Sequence, residues 1–170
     1  MLDPSKFSPR YEVRPLGEED ADSVLKILQG NRIFVECSVN YGGEEPSRER
    51  VLADMHAVPE GLPLSKKHYV GMFEGERLAA VLDILDGFPE PDIAFFGLFL
   101  MAPEDQGQGE GTRIIGELAA YLKSEGMSAI RLGIDKGNPQ STHFWKKNGF
   151  AVIREVERND GVILVAERRL

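Results

Sequence analysis

The stretch Ile93-Ala94-Phe95-Phe96-Gly97-Leu98-Phe99-Leu100-Met101-Ala102-Pro103-Glu104-Asp105-Gln106-Gly107-Gln108-Gly109-Glu110-Gly111-Thr112 decides how this chain is read. Its first half, Ile93 to Met101, is apolar and rich in Phe, which predicts a buried strand. Downstream, Ile114, Ile115, Leu118, Ala119 and Leu122 recur at helical spacing and Gly126 supplies a stop, so an amphipathic helix follows. Between the two lies Gln106 to Thr112, with glycine at positions 107, 109 and 111. Alternating glycines remove the side chains that would block an approaching phosphate. Free N–H groups in the first helical turn, together with the helix dipole, then favour an anion. A flexible loop with glycine caps is the plainer alternative, but strand, loop and helix stand in the order a phosphate cradle needs.

On the N-terminal side, Tyr11 to Pro15 predicts a strand, Glu18 to Leu28 a helix stopped by Gly30, and Pro46 to Met55 a second helix. His68 to Phe73 and Leu78 to Leu85 read as strands of a hairpin around Glu74-Gly75-Glu76. On the C-terminal side, Ser128 to Ile134 alternates like a strand. Asn138-Pro139 then starts a helix that ends near Asn148-Gly149. Ala151 to Val156 and Val162 to Ala166 read as strands around Asn159-Asp160-Gly161. The predicted order is strand, two helices, three strands, helix, strand, helix, two strands. That is a mixed α/β (α+β) domain with helices covering both faces of one sheet.

The 170 residues suit a single domain with a real core, and 42% hydrophobic with 28% charged residues is ordinary for a globular chain. A net charge of −8 argues against non-specific binding to nucleic acid or a membrane surface. The start of the chain carries no apolar signal region, and the apolar run Ile93 to Ala102 is far below the ~20 residues that span a bilayer. The lone Cys37 forms no internal disulfide, and nothing nearby in sequence would activate it, so a half-buried free thiol is its plainer reading. These features together predict a cytoplasmic protein.

Which phosphate the loop takes is narrowed by what it lacks. A dinucleotide fingerprint needs glycine at position 112, where Thr112 stands, and a P-loop needs a Lys that Gly111-Thr112 does not offer. Gln106-x-x-Gly109-x-Gly111 instead resembles the cofactor signature of the GNAT (GCN5-related) N-acetyltransferases, Gln/Arg-x-x-Gly-x-Gly/Ala. The later segment Asn138 to Phe150 is similar to the same family's second motif at Asn138, Lys147, Gly149 and Phe150. The two motifs cover Phe96 to Phe150, and the order of elements outside them agrees with the family.

The resemblance implies a largely antiparallel sheet of about six to seven strands with about four helices on its two faces. It implies acetyl-CoA as co-substrate, with no metal. The amides of Gly107, Gln108, Gly109, Glu110, Gly111 and Thr112 would hold the pyrophosphate within the motif opened by Gln106. A bulge would splay the central strand from its neighbour, and the backbone of Phe99, Leu100 and Met101 would pair with the pantetheine and polarise the thioester carbonyl. Asn138 would bond the cofactor arm, and as a helix cap it can do both. Residues 1–170 would form a single N-acetyltransferase domain. Its partner would be a small-molecule or peptide amine, not nucleic acid or membrane, and such chains often form homodimers.

The implied reaction is direct attack by an amine on the thioester. At pH 7 only about one amine in a thousand is free base, so a base should take its proton. Phe95, Phe96, Gly97, Leu98 and Phe99 lack the Glu that often relays this proton in the family. The nearest carboxylates are Asp83, Asp86 and Asp92; Asp83 and Asp86 are three apart, so without a bulge at most one lines a site. A solvated surface carboxylate is the plainer reading of each. Trp145 stands where the family usually has a Tyr that protonates the leaving thiolate, and indole N–H cannot do that at neutral pH. Trp145 either walls the cofactor sulfur or packs in the core, and His143 reads as a surface residue.

Acceptor contacts are expected from Asn31 to Tyr41 and from Gly87 to Pro91, with Phe34, Tyr41 and Phe88 as an apolar wall and Glu36, Glu44 and Glu45 as an attraction for a cation. Two alternatives to an N-acetyltransferase stay open: a non-catalytic acyl-CoA-binding module of the same fold, and an unrelated phosphate-binding protein.

Overall fold

The computed structural model describes residues 1–170. Its seven strands are β1 Glu12–Pro15, β2 Lys67–Glu74, β3 Arg77–Asp86, β4 Ile93–Met101, β5 Ala129–Asp135, β6 Ala151–Arg158 and β7 Gly161–Arg169. They form one sheet in the order β1-β2-β3-β4-β5-β7-β6. Only β4 and β5 run parallel; every other pairing is antiparallel. This is the mixed, largely antiparallel sheet expected.

Five α-helices cover it: α1 Ala21–Gly30, α2 Arg32–Cys37, α3 Arg48–His56, α4 Glu110–Ser124 and α5 Pro139–Lys147. About four were expected, and α2 is the additional one. It is one short turn-and-a-half segment, set off from α1 by Asn31, whose ψ of 64° is not helical, and it buries only Val35. Asn138 caps as expected, accepting from Ser141 N at the start of α5 with Pro139 following, whereas α3 starts later than expected, with Pro46 outside the helix and Ser47 as its cap accepting from Arg50 N.

Two cores lie on the two faces of the sheet. One packs Ile114, Ile115, Leu118 and Leu122 of α4, with Trp145 of α5, against Leu82, Ile84, Phe96, Ile130, Leu132 and Ile134. The other packs Val24, Ile27 and Leu28 of α1 and Val51 and Met55 of α3 against Tyr69, Val81 and Leu100. Strand alternation decides which face a residue joins. In β3, Ala80, Leu82 and Ile84 face α4, whereas Val81 faces the α1–α3 side, and Asp83 shares that second orientation.

Candidate functional site

The site begins where β4 and β5 part. Their parallel pairing runs only from Ile93↔Ala129 to Phe96↔Leu132. Just there the β3–β4 register slips, with Asp83 opposite Leu98 and Ile84 opposite Phe96, so Gly97 is an extra residue in β4. Beyond it, Leu98 to Met101 pair with β3 on one side only, and Gly133 to Asp135 pair only with β7. The parting opens a cavity of about 330 Å³ with an unpaired strand edge along one wall.

That cavity collects most of the residues singled out from sequence. Phe99, Leu100, Met101, Gln106, Gly107, Gly109, Gly111, Thr112, Asn138 and Trp145 all line it. Gln108 and Glu110 do not: Gln108 turns its amide to Glu104 O, and Glu110 is held by Tyr11, Arg10 and Arg113. Only their backbone N–H groups are available to a ligand. No amide from Gly107 to Thr112 donates to another backbone group, and the first backbone bond after the loop is Arg113 N to Gly109 O. This run of unspent donors at the positive end of α4 fits a pyrophosphate, and Lys147, also in the lining, adds a positive charge.

The glycines differ in why they are needed. Gly107 and Gly109 have φ of 75° and 81°, the left-handed region, with open space around each. Gly111 has ordinary dihedrals, but a Cβ there would lie 3.2 Å from the Phe144 ring. Close packing under the aromatic wall is thus a further reason for glycine there, one not shared with Gly107 and Gly109.

The Gln106 side chain ties the loop in place. Its amide donates to Asn31 Oδ1 at 2.8 Å and to Met101 O at 3.1 Å. Asn31 donates to the same carbonyl at 3.1 Å, so α1, the end of β4 and the glycine loop are tied at one point. Trp145 is at once a core residue and part of the cavity wall. It is 8% exposed, lines the cavity and meets Phe99, Phe144, Phe96 and Phe150 with ring centroids 5.0 to 6.5 Å apart. His143 is exposed and stays out of the cavity.

A smaller cavity of about 140 Å³ adjoins the first, sharing Phe34, Gly97 and Leu98 with it. Ser38, Asn40, Tyr41, Arg50, Asp54, Ala57, Lys67, Tyr69 and Asp83 complete its wall. Asp83 is buried, not a solvated surface carboxylate. Its Oδ2 accepts from Lys67 Nζ at 2.6 Å, and its Oδ1 has no partner. A Cβ at residue 97 would lie 2.6 Å from that Oδ2, so Gly97 is what lets the carboxylate rest against the bulge. Burial pushes the Asp83 carboxyl above its ordinary value, while Lys67 pulls it down. Burial likewise raises the Tyr41 hydroxyl to about 12.

Asp86 is also buried, but it points to the other face. Lys66 holds it at 3.2 Å, and it lines neither cavity. The bulge falls in β4, so it leaves the alternation of β3 intact and the two carboxylates stay apart. Gly87 to Pro91 also stays out of both cavities; Phe88 stacks edge-on against Phe95. Of the expected apolar wall, Phe34 and Tyr41 remain, 6.2 Å apart. Glu45 is exposed and paired with Arg32.

Sequence reading missed Asp135 and Lys67, and covered Ser38 only as part of the Asn31 to Tyr41 stretch. Asp135 closes β5, lines the large cavity, accepts from Val39 N at 3.0 Å and is raised by burial, so it latches the segment after α2 over the site. Its place just before Asn138 was the available signal. Lys67 and Ser38 carry no motif.

The sequence pattern of the acetyltransferase (GNAT) family matches residues 30–150. No curated protein matches the chain in sequence. Among solved structures, an acetyltransferase from Thermus thermophilus is similar at 23% identity and a TM-score of 0.71, over 93% of this chain and 96% of that one. A PaiA N-acetyltransferase from Thermoplasma acidophilum, in complex with coenzyme A, is similar at 20% identity and 0.65, over 94% and 98%. AAC(6')-Ib in complex with ribostamycin and coenzyme A is similar at 17% and 0.69, over 92% of each chain. At these identities the likeness is one of fold.

Proposed function

The chain belongs to the acetyltransferase (GNAT) family, and from that premise we propose that it is an acetyl-CoA-dependent N-acetyltransferase acting on a primary amine of a small molecule or peptide. Residues 1–170 are read as one such domain, since all seven strands share a sheet. The observation that carries the proposal is the junction at Gly97: a buried carboxylate with one unspent oxygen sits where the β4–β5 parting begins.

Acetyl-CoA supplies an acetyl group on a thioester, so a C–N bond to the amine forms as the C–S bond breaks. The chain's own residues divide the remaining work. The amides of Gly107 to Thr112 would hold the pyrophosphate, with Lys147 beside them. The free edge of β4 along Phe99 to Met101 would take the pantetheine arm as an added strand, and Asn138 would bond it. Backbone N–H groups on that edge would polarise the acyl oxygen.

Asp83 takes the proton that the attacking amine must lose. A raised pKa makes it a better base than a surface carboxylate. Lys67 assists from the other side: a fixed positive charge close to the acceptor amine favours its uncharged, nucleophilic form. No group is asked to protonate the leaving thiolate. With a thiol pKa near 8.5 the thiolate departs tolerably unaided, which is consistent with Trp145 at the position usually held by Tyr. Asp86, held on the opposite face, has no part in the step.

The absence of an O–H at Trp145 also favours a second reading, a non-catalytic acyl-CoA-binding module. Amine-dependent release of free thiol separates the two. Release that needs both acetyl-CoA and an amine, and that drops when Asp83 becomes Asn, supports the enzyme; tight CoA binding without release on any amine supports the module.

A further inference from the structure

We propose that the acceptor is a small amino acid or a similar zwitterion, its amine taken by Asp83 and Ser38 and its carboxylate by Arg50 in the small cavity beside Gly97. The proposal rests on the N-acetyltransferase reading above and adds the class of acceptor.

The cavity's volume of about 140 Å³ amounts to about five water molecules at roughly 30 Å³ each. It suits a compact head group rather than a long chain. Its four charged residues form two pairs, Arg50 with Asp54 at 3.0 Å and Lys67 with Asp83 at 2.6 Å. The wall is therefore electrically balanced. A guest with net charge would leave one wall charge or its own uncompensated, whereas a zwitterion matches balance with balance.

What those pairs leave unspent shows how such a guest would lie. Ser38 and Asp83 are 4% and 9% exposed, and Ser38 Oγ and Asp83 Oδ1 are both buried without a partner. Both residues line the cavity, so each brings to its wall an oxygen whose capacity to accept an amine N–H is unspent inside the protein. Arg50 spends only Nε, on Asp54, so its two terminal nitrogens have no acceptor in the protein. The guanidinium is also steadied over the Tyr41 ring, 5.2 Å from its centroid. Such a planar fork suits a carboxylate better than any neutral group. A diamine finds a cation near each acidic partner instead. Phe34, Tyr41 and Leu98 leave an apolar margin for a side chain.

The test pairs amino acids with their decarboxylated amines, L-leucine against isopentylamine and L-phenylalanine against phenethylamine, with putrescine as the diamine. Acetyl-CoA is the donor. The expected result is a preference of tenfold or more in kcat/KM for the carboxylated member, the order of a charge-assisted hydrogen bond. Arg50→Met should collapse that ratio towards one, and Arg50→Lys should restore part of it. Equal or better use of the amine or putrescine overturns the proposal, as does a ratio unchanged in Arg50→Met. If acetyl-CoA binds but no acceptor turns over, it is the enzyme reading that fails. The acceptor class is then decided by calorimetry of L-leucine against CoA-loaded protein: binding lost in Arg50→Met keeps it, and no binding overturns it.

Discussion

Lys67 Nζ stands 2.6 Å from Asp83 Oδ2, while the second oxygen of the same carboxylate has no partner. One oxygen is thus committed to an internal cation and the other is left without a partner, in a residue that lines the cavity beside Gly97. The pair explains how a buried carboxylate persists without being spent. If Asp83 takes the amine proton, Asp83→Asn lowers kcat by about 10²–10⁴-fold and leaves the Kd for acetyl-CoA within a few-fold. Thermal melts check that the variant, with Lys67 left unpaired, still folds. A full rate in a folded variant removes Asp83 from the mechanism.

The pH dependence follows from the same pair. Asp83 is active ionised, so kcat falls as pH drops through its pKa, and burial places that fall above the ordinary carboxylate range. Lys67 acts in the opposite direction. Lys67→Met therefore shifts the acid limb of the kcat–pH profile to higher pH. An unmoved limb, or one moved down, means that another group is being titrated.

Gly107 and Gly111 offer a contrast. Ala at 107 meets no atom within 4 Å but must hold φ near 75°, a cost of about 1–2 kcal/mol. Ala at 111 keeps an allowed backbone but presses on Phe144 at 3.2 Å, and overpacking costs about 1–3 kcal/mol. Denaturant melts give both losses. Only Gly111→Ala should disturb the near-parallel stack of Phe144 on Phe99, visible in near-ultraviolet circular dichroism.

Gln106→Ala removes the ties to Asn31 Oδ1 and Met101 O. Losing about 1 kcal/mol of loop order corresponds to roughly fivefold weaker CoA binding, with kcat at saturation little changed. A Gln side chain that touched the ligand directly would show a much larger loss.

Most of what bears on the phosphate was legible in the sequence, because it is local. Asn138-Pro139, the glycine loop and the apolar β4 run each depend on neighbours a few residues away. The acceptor side was not, because it depends on register and on distant pairs. Lys67 reaches Asp83 only through the β2–β3 ladder, which sets Tyr69 opposite Asp83. Gln106 finds Asn31 across 75 residues. Helix α2 was hidden by its length and by Ile33 and Val35, β-branched residues of modest helix propensity. The bulge at Gly97 marks the limit: a glycine in a strand suggests one, but only the β3 partner register fixes its place.

Trp145→Tyr tests the missing acid. If the thiolate leaves unaided, restoring a hydroxyl raises kcat by no more than a few-fold and leaves CoA affinity within a few-fold. Trp145→Ala, by contrast, opens a cluster of four aromatic neighbours and should cost about 3–5 kcal/mol of stability. A large gain in rate for Trp145→Tyr would mean that leaving-group protonation limits the natural protein.

The most direct measurement is thiol release from acetyl-CoA against a panel of amino acids, small amines and short peptides, run beside CoA-binding calorimetry on the wild type and Gly109→Val. Gly109 holds φ at 81° at the start of α4, so a β-branched residue there should abolish CoA binding. The predicted result is CoA binding and amine-dependent release in the wild type, with both lost in the variant. Wild-type protein that binds no CoA, or Gly109→Val that binds it unchanged, would contradict the assignment of this loop and the activity built on it.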